Sequence, residues 1–259
     1  MTFDVRQFPR GRDVIVDGGY LAARRHIIFA FLELDVTMAR SALRGTSGSD
    51  GNPYSFTAFV IATFARAIHS HPEVQAYRDF RGRLVLFHEV DVSTLVEPSP
   101  GAAAIPHVIR AAEKRPVGDI SEEIRAVQRD PHSGAKLGRT MALGSRLPRF
   151  FRLIYMRALK LNPIWLKRIG GTTVVSSIGM FGKRAGWGIP FLPLHTLGLL
   201  VGGVAEKPMA YQGTVALREC LHATFSFDHD MVDGAPAARF TRSFAELIEA
   251  ASVLGDEAA

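Results

Sequence analysis

The sequence predicts a fold of mixed strands and helices, α/β (α+β), on three observations. "HIIFAFLELDVT" (26–37) and "TVALRECLHATFSF" (214–227) are rich in strand-forming residues. Between them Phe56, Phe59, Val60, Phe64, Ala67 and Ile68 recur at helical spacing. The chain is 47% hydrophobic and 22% charged, the balance of a folded globular protein. At 259 residues, with no internal repeat or long disordered linker, residues 1–259 are expected to form a single domain.

The elements follow in order. Strand 26–37 ends in alternating polar and apolar residues, and "GTSGSDGNP" (45–53) is turn-forming. The next helix is capped by Ser55 and stopped before Pro72. "GRLVLFHEVDVSTLV" (82–96) reads as a strand. "DISEEIRAVQR" (119–129) opens with Asp119 and Glu122 three apart, a capping-box spacing. "RLPRFFRLIYMRALKLNPIWLKR" (146–168) reads as one cationic, apolar helix. It is expected to pack on the core with its arginines covering the rim; the competing reading is a membrane-surface helix. "GTTVVSSIGMFG" (171–182) is a strand. In 214–227 the odd positions Val215, Leu217, Leu221, Ala223, Phe225 and Phe227 should be buried and Arg218, Cys220, His222, Thr224 and Ser226 less so. Ala237, Phe240, Phe244, Leu247, Ile248 and Ala251 line the apolar face of a closing helix.

Several functions are disfavoured. The one cysteine, Cys220, excludes an internal disulfide and fits a reducing, cytoplasmic setting; its mid-strand place makes it a packing residue. Residues 185–205 carry no formal charge, but their prolines and glycines point to a turn and a buried strand rather than a membrane span. The net charge of +6 suits an anionic partner such as a phosphorylated cofactor; no nucleic-acid motif accompanies it. "HSH" (69–71) sits at a helix end beside Pro72, which favours a solvated terminus over a metal site.

The segment "SFDHDMVDGA" (226–235) closes a strand with a histidine, three carboxylates and a glycine before a helix. A neutral His229 there can accept a proton near pH 7. Asp233 stands where a carboxylate can cap amides or meet an arginine. Gly234 offers backbone freedom or room for close approach. A metal held by Asp228, His229, Asp230 and Asp233 lacks enough ligands, so none is expected. From spacing alone the segment reads as a turn with a hydrogen-bonded histidine.

The same segment resembles the His-x-x-x-Asp-Gly signature of the catalytic domain of the acyltransferase component of 2-oxo-acid dehydrogenase complexes, whose fold is that of chloramphenicol acetyltransferase. "GGTTVVSSIGMFG", "SFTAFVIATFARAIHSHPEVQA", "HEVDVSTLVE" and "PHVIRAAEKRPVGDISEEI" resemble further family segments, in order, from about residue 20 to the C-terminus. The resemblance implies a chloramphenicol acetyltransferase-like sandwich, a mixed central sheet with flanking helices, and a coenzyme A-dependent acyltransferase. His229 is then the general base, with Ser176 donating to the oxyanion and Ser177 one position away as the alternative. "FDVRQFPRGR" resembles the chloramphenicol acetyltransferase N-terminus, which pairs Arg10 with Asp233 to hold the loop, Arg12 being the nearest competitor. No cofactor is bound permanently; acyl-coenzyme A is a substrate, and a thiol or hydroxyl compound, or a lipoyl group on another chain, is the acceptor. The family's active site lies between subunits, which implies a homotrimer or a multiple of trimers. The sequence departs from the family at Asp230, usually arginine, and at residues 130–169, a longer, apolar and cationic insert. The chain is expected to lack lipoyl and subunit-binding domains. The alternative is an inactive assembly protein of the same fold.

Overall fold

A computed structural model describes residues 2–8, 12–46, 51–98, 104–130, 144, 146–178 and 185–255. Six strands form one mixed sheet. They are β1 (Ile27–Asp35), β4 (Val92–Val96), β5 (Ile105–Ile109), β6 (Thr173–Ser177), β7 (Leu197–Tyr211) and β8 (Thr214–Asp228). Their order is β1-β8-β7-β6-β4-β5. β8 pairs antiparallel with β1 and β7, β6 runs parallel to both β7 and β4, and β5 closes the far edge antiparallel. β2 (Tyr77–Arg78) and β3 (Leu84–Val85) make a separate two-stranded ribbon.

One sheet face is covered by α3 (Phe56–Ser70), α4 (Val117–Arg129) and α7 (Gly234–Glu249), with α2 (Thr37–Gly45) and α8 (Ser252–Gly255) against α7; α1 (Arg12–Ala22) packs on α5 (Arg149–Leu161), and α5 on α6 (Pro163–Gly170). α3 is apolar nearly all round because it is buried nearly all round. Ser55 caps it, its hydroxyl accepting from Ala58 N at 3.4 Å. Phe225 of β8 meets Phe64, Phe240 and Phe244 at centroid distances of 5.9, 5.4 and 5.0 Å, tying the middle of the sheet to α3 and α7.

Four local expectations are corrected. The strand read at 82–96 is two, β3 and β4, because Gln75 Nε2 takes the carbonyls of Phe87 (3.0 Å) and Glu89 (3.5 Å), which are then lost to a continuous ladder. α4 starts at Val117, not Asp119. Pro116 stands at its N-cap with φ −60°, and no side chain caps the end. The helix read at 146–168 is two helices, since Pro163 has no N–H to donate and Asn162 caps the second, accepting from Trp165 N at 3.2 Å. In β8 the alternation fails at both ends. Val215 and Leu217 are exposed, because the β7–β8 hairpin carries the start of the strand away from the core. Cys220 to Asp228 are buried on both faces, and Trp187 lies on His222 with ring centroids 4.5 Å apart. α1 was not legible in the sequence.

In α5 Leu159 is buried and Leu153, Met156 and Ala158 are half-buried. Arg149 and Arg152 donate from Nε to the two oxygens of the buried Asp17 in α1 at 3.0 and 2.6 Å. Arg152 is turned in by this contact and departs from the expected rim position, whereas Arg149, 58% exposed, and Arg157 lie at the surface.

Phe225→Ala should lower the unfolding free energy by about 3–5 kcal/mol, read from chemical denaturation. Val215→Ala, on the exposed hairpin, should stay within about 0.5 kcal/mol of the parent.

Candidate active site

β8 does not end at its last ladder residue. Asp228 N donates to Thr196 O at 2.8 Å and His229 N donates to His26 O at 2.7 Å, so neighbours on both sides hold the backbone up to the histidine. The chain then turns, Met231 N and Val232 N donating to Asp228 O at 2.9 and 3.0 Å, and α7 begins at Gly234. A rigid strand end thereby presents a half-exposed imidazole.

The side chain that locks this end is one the sequence reading missed. Arg25, just before β1, is buried and donates to Asp228 Oδ2 from Nε (3.0 Å) and Nη2 (2.5 Å). Its Nη1 donates to the carbonyls of Leu192 (3.2 Å) and His195 (2.5 Å), which ties the approach to β7 to the same point. The signal was the "RRH" run directly before β1, whose partner strand ends in Asp228.

The other residues named from the sequence take these places. Asp233 is the N-cap of α7 but makes no side-chain cap bond and is 85% exposed; its Oδ1 lies 4.0 Å from His229 Nδ1, beyond hydrogen-bond reach. It neither caps nor orients within one chain. Gly234 does not have a positive φ, and a Cβ there would meet nothing within 4 Å, so neither backbone freedom nor close approach requires a glycine here. Arg10 lies outside the described residues; Arg12 opens α1. Asp230 accepts from His26, whose Nδ1 is 2.8 Å from Oδ1. That hydrogen bond raises the His26 pKa and lowers that of Asp230. Cys220 is fully buried, and burial pushes its thiol pKa up. His69 Nδ1 lies 3.3 Å from His88 O, and His71 Nδ1 3.7 Å from a Glu73 oxygen. Among the described residues no three His, Cys, Asp or Glu side chains are grouped to hold a metal.

Ser176 and Ser177 end β6. Gly171 sets their strand on course: its φ is +79°, and a Cβ would stand 2.5 Å from Asp91 O. Both serines line a crevice of about 290 Å³ with Thr57, Thr94 and Gln128, although successive strand side chains alternate. This crevice is not beside His229. Ser176 pairs with Leu200 of β7, whereas Asp228 sits beside Thr196, before β7 begins. That offset is roughly 13 Å along the strands at about 3.3 Å per residue, with two strand spacings of about 4.8 Å across. Within one chain the histidine and the serines are thus offset both along and across the sheet.

A second cleft, of about 580 Å³, adjoins the histidine loop and is lined by Arg25, Arg78, Lys160, Asp228, Asp230 and Met231 among others. Lys160 brings α5, and hence the insert, to this edge. His195 lies behind it. Its Nε2–H donates to Gly170 O at 2.9 Å, and burial lowers its pKa to about 4.

The family model described as 2-oxoacid dehydrogenases acyltransferase (catalytic domain) matches residues 30–140 and 157–255. A mitochondrial dihydrolipoyllysine-residue acetyltransferase component of the pyruvate dehydrogenase complex from Caenorhabditis elegans is 28% identical over 208 residues, 80% of this chain and 35% of that one. The lipoamide acyltransferase component of the branched-chain alpha-keto acid dehydrogenase complex of Pseudomonas aeruginosa is 24% identical over 236 residues, 88% of this chain and 47% of that one. The chain thus spans less than half the length of these curated relatives. Among solved structures, the Azotobacter vinelandii dihydrolipoamide acetyltransferase superposes with a TM-score of 0.71 at 18% identity, covering 97% of this chain and 94% of that one. It was solved to probe a serine, a histidine and an asparagine in that enzyme's catalytic mechanism. The cubic core of a pyruvate dehydrogenase multienzyme complex gives 0.69 at 19% identity, covering 97% and 94%. Chloramphenicol acetyltransferase gives 0.51 at 13%, covering 95% and 98%. The chain has the fold these proteins share.

Two outcomes follow. Arg25→Met leaves Asp228 buried without its partner and should cost about 3–5 kcal/mol of stability, while Lys at 25 recovers only part, because one ammonium cannot reach all three acceptors. For His195 the folded pKa of about 4 lies below the unfolded value of about 6.5. Its stabilisation is therefore complete above about pH 6.5 and is lost as pH falls toward about 4. Denaturation midpoints measured across that window should show a decline that is shallower in His195→Gln.

Proposed function

The chain belongs to the 2-oxoacid dehydrogenase acyltransferase catalytic-domain family, and on that premise we propose that it is a coenzyme A-dependent acyltransferase working by direct transfer. The observation that carries this reading is the placement of His229. It is a half-exposed imidazole on a backbone held from both sides, while every carboxylate within two residues of it is engaged elsewhere, Asp228 by Arg25 and Asp230 by His26.

In the proposed reaction His229 removes the proton from an acceptor thiol or hydroxyl as that atom attacks the thioester carbonyl carbon of an acyl-coenzyme A. A bond forms between the acceptor atom and the carbonyl carbon, and the carbonyl electrons move onto oxygen. A serine hydroxyl, Ser176 by alignment, donates to that oxyanion. As the intermediate collapses, the carbon–sulfur bond to coenzyme A breaks and the sulfur recovers the proton from the imidazolium. No covalent acyl-enzyme is required. The cationic lining of the cleft beside the loop, Arg78 and Lys160, suits an anionic substrate.

The separation of His229 from Ser176 inside one chain supports a site shared between subunits, with the histidine of one protomer entering the serine crevice of its neighbour. This agrees with a homotrimer or a multiple of trimers. The serine, histidine and asparagine probed in the Azotobacter enzyme support roles for Ser176 and His229. The asparagine lies four residues after the histidine there, as Asp233 does here. In the assembled site Asp233 is proposed to meet Arg10 and so hold the loop from outside. The acceptor is proposed to be a small molecule or a lipoyl group on another chain.

Thiol release from a panel of acyl-coenzyme A donors, offered dihydrolipoamide, hydroxyl and amine acceptors, tests the reading. His229→Ala should lose about 10²–10⁴ in kcat with its oligomeric mass unchanged. Ser176→Ala should lose about 10²–10³ in kcat, and Ser177→Ala far less. Undiminished turnover in the histidine variant overturns the proposal; a larger loss at Ser177 moves the oxyanion donor by one residue.

A further inference from the structure

We propose that the outer face of α5 and the start of α6 is a docking surface for an anionic lipid bilayer. α5 is apolar on two sides. Leu153, Met156 and Leu159 are half-buried or buried, beside Arg152, which donates to the buried Asp17. The opposite face carries Phe150, Phe151, Ile154 and Tyr155, between 42% and 69% exposed, and Ile164 and Trp165 of α6 add 54% and 52%. Positions 150, 151, 154 and 155 share one side of a helix. Large aromatic and aliphatic groups gathered in this way mark an interaction surface rather than scattered exposure.

Charge decides which occupant the face fits. Residues 131–205 contain eleven lysines and arginines and no aspartate or glutamate; of those in α5 and α6, Arg149 and Arg152 pair with Asp17 and Lys167 with Glu89 and Asp91. Arg146, Arg157 and Arg168, all exposed, stand around the apolar face. A second copy joined by a two-fold axis would set this cationic patch against itself with no carboxylate from the segment to offset it. Anionic headgroups offset it directly, and the acyl boundary beneath them takes the aromatic groups. α5 has 13 residues, and no helix among the described residues is long and apolar enough to cross a membrane, so the helix would lie in the plane of the interface. Lys160 of the same helix lines the cleft beside Asp230, so docking would bring that cleft to the bilayer surface.

The test is co-sedimentation of the full chain with phosphatidylcholine vesicles, with and without phosphatidylglycerol. At about 0.15 M salt the chain should partition at least about tenfold more strongly onto the anionic vesicles, and about 1 M salt should weaken this. Phe150→Ser with Ile154→Ser, and separately Arg157→Glu with Arg168→Glu, should each reduce partitioning at least about fivefold. Either result is readable without the other, so loss of folding in one pair leaves the proposal testable. His229→Ala should partition as the parent does, which separates this proposal from the acyl-transfer reading. Absent or lipid-independent sedimentation overturns it. So does a fall in oligomeric mass in the serine pair, measured by light scattering, with no vesicle binding by the parent; that outcome assigns the face to a second copy.

Discussion

The ion pair between Arg25 and Asp228 is the constraint on which the arrangement of the site depends. A buried carboxylate and a buried guanidinium each give up hydration, and the structure offsets that loss only by filling their hydrogen-bonding capacity. Two guanidinium nitrogens are used on Asp228 and the third on the carbonyls of Leu192 and His195. The consequence is geometric. The approach to β1, the end of β8 and the approach to β7 meet at one charged centre, one residue before His229. A histidine in that position inherits the rigidity of the sheet while its ring remains half exposed, a combination suited to proton transfer.

The same sheet that fixes the histidine keeps it from the serines. β6 and β7 run parallel and β8 antiparallel to them, so the C-terminal end of β8 and the C-terminal end of β6 face opposite ways. Hydroxyl and imidazole can meet only if one end of a protomer faces the other end of another. The proposed pairing of Ser176 with His229 therefore requires two protomers.

The insert around α5 shows how a local charge can reorganise packing. A single buried carboxylate on α1, Asp17, holds two arginines of the helix and turns Arg152 in, while Phe150, Phe151, Ile154 and Tyr155 of the same helix stay exposed. An amphipathic helix ordinarily keeps its apolar groups to the buried side alone. The exposed apolar side coincides with a stretch of the chain that lacks carboxylates altogether.

Much of this was legible in the chain itself. Apolar spacing and composition located α3, α7 and β1, because α3 is buried nearly all round and α7 buries one consistent face, and the residues 226–235 carried the family resemblance and His229 with it. What the sequence could not disclose depended on partners distant along the chain. The break between β3 and β4 comes from Gln75, the burial of both faces of β8 from Trp187 and the neighbouring strands, and the inward turn of Arg152 in α5 from Asp17. Arg25 and Asp228 are 203 residues apart. Periodicity reports which face of an element is apolar. Which charge lies opposite that face, and which end of a strand its neighbours reach, is set by the order and register of the sheet, and these exist only in three dimensions.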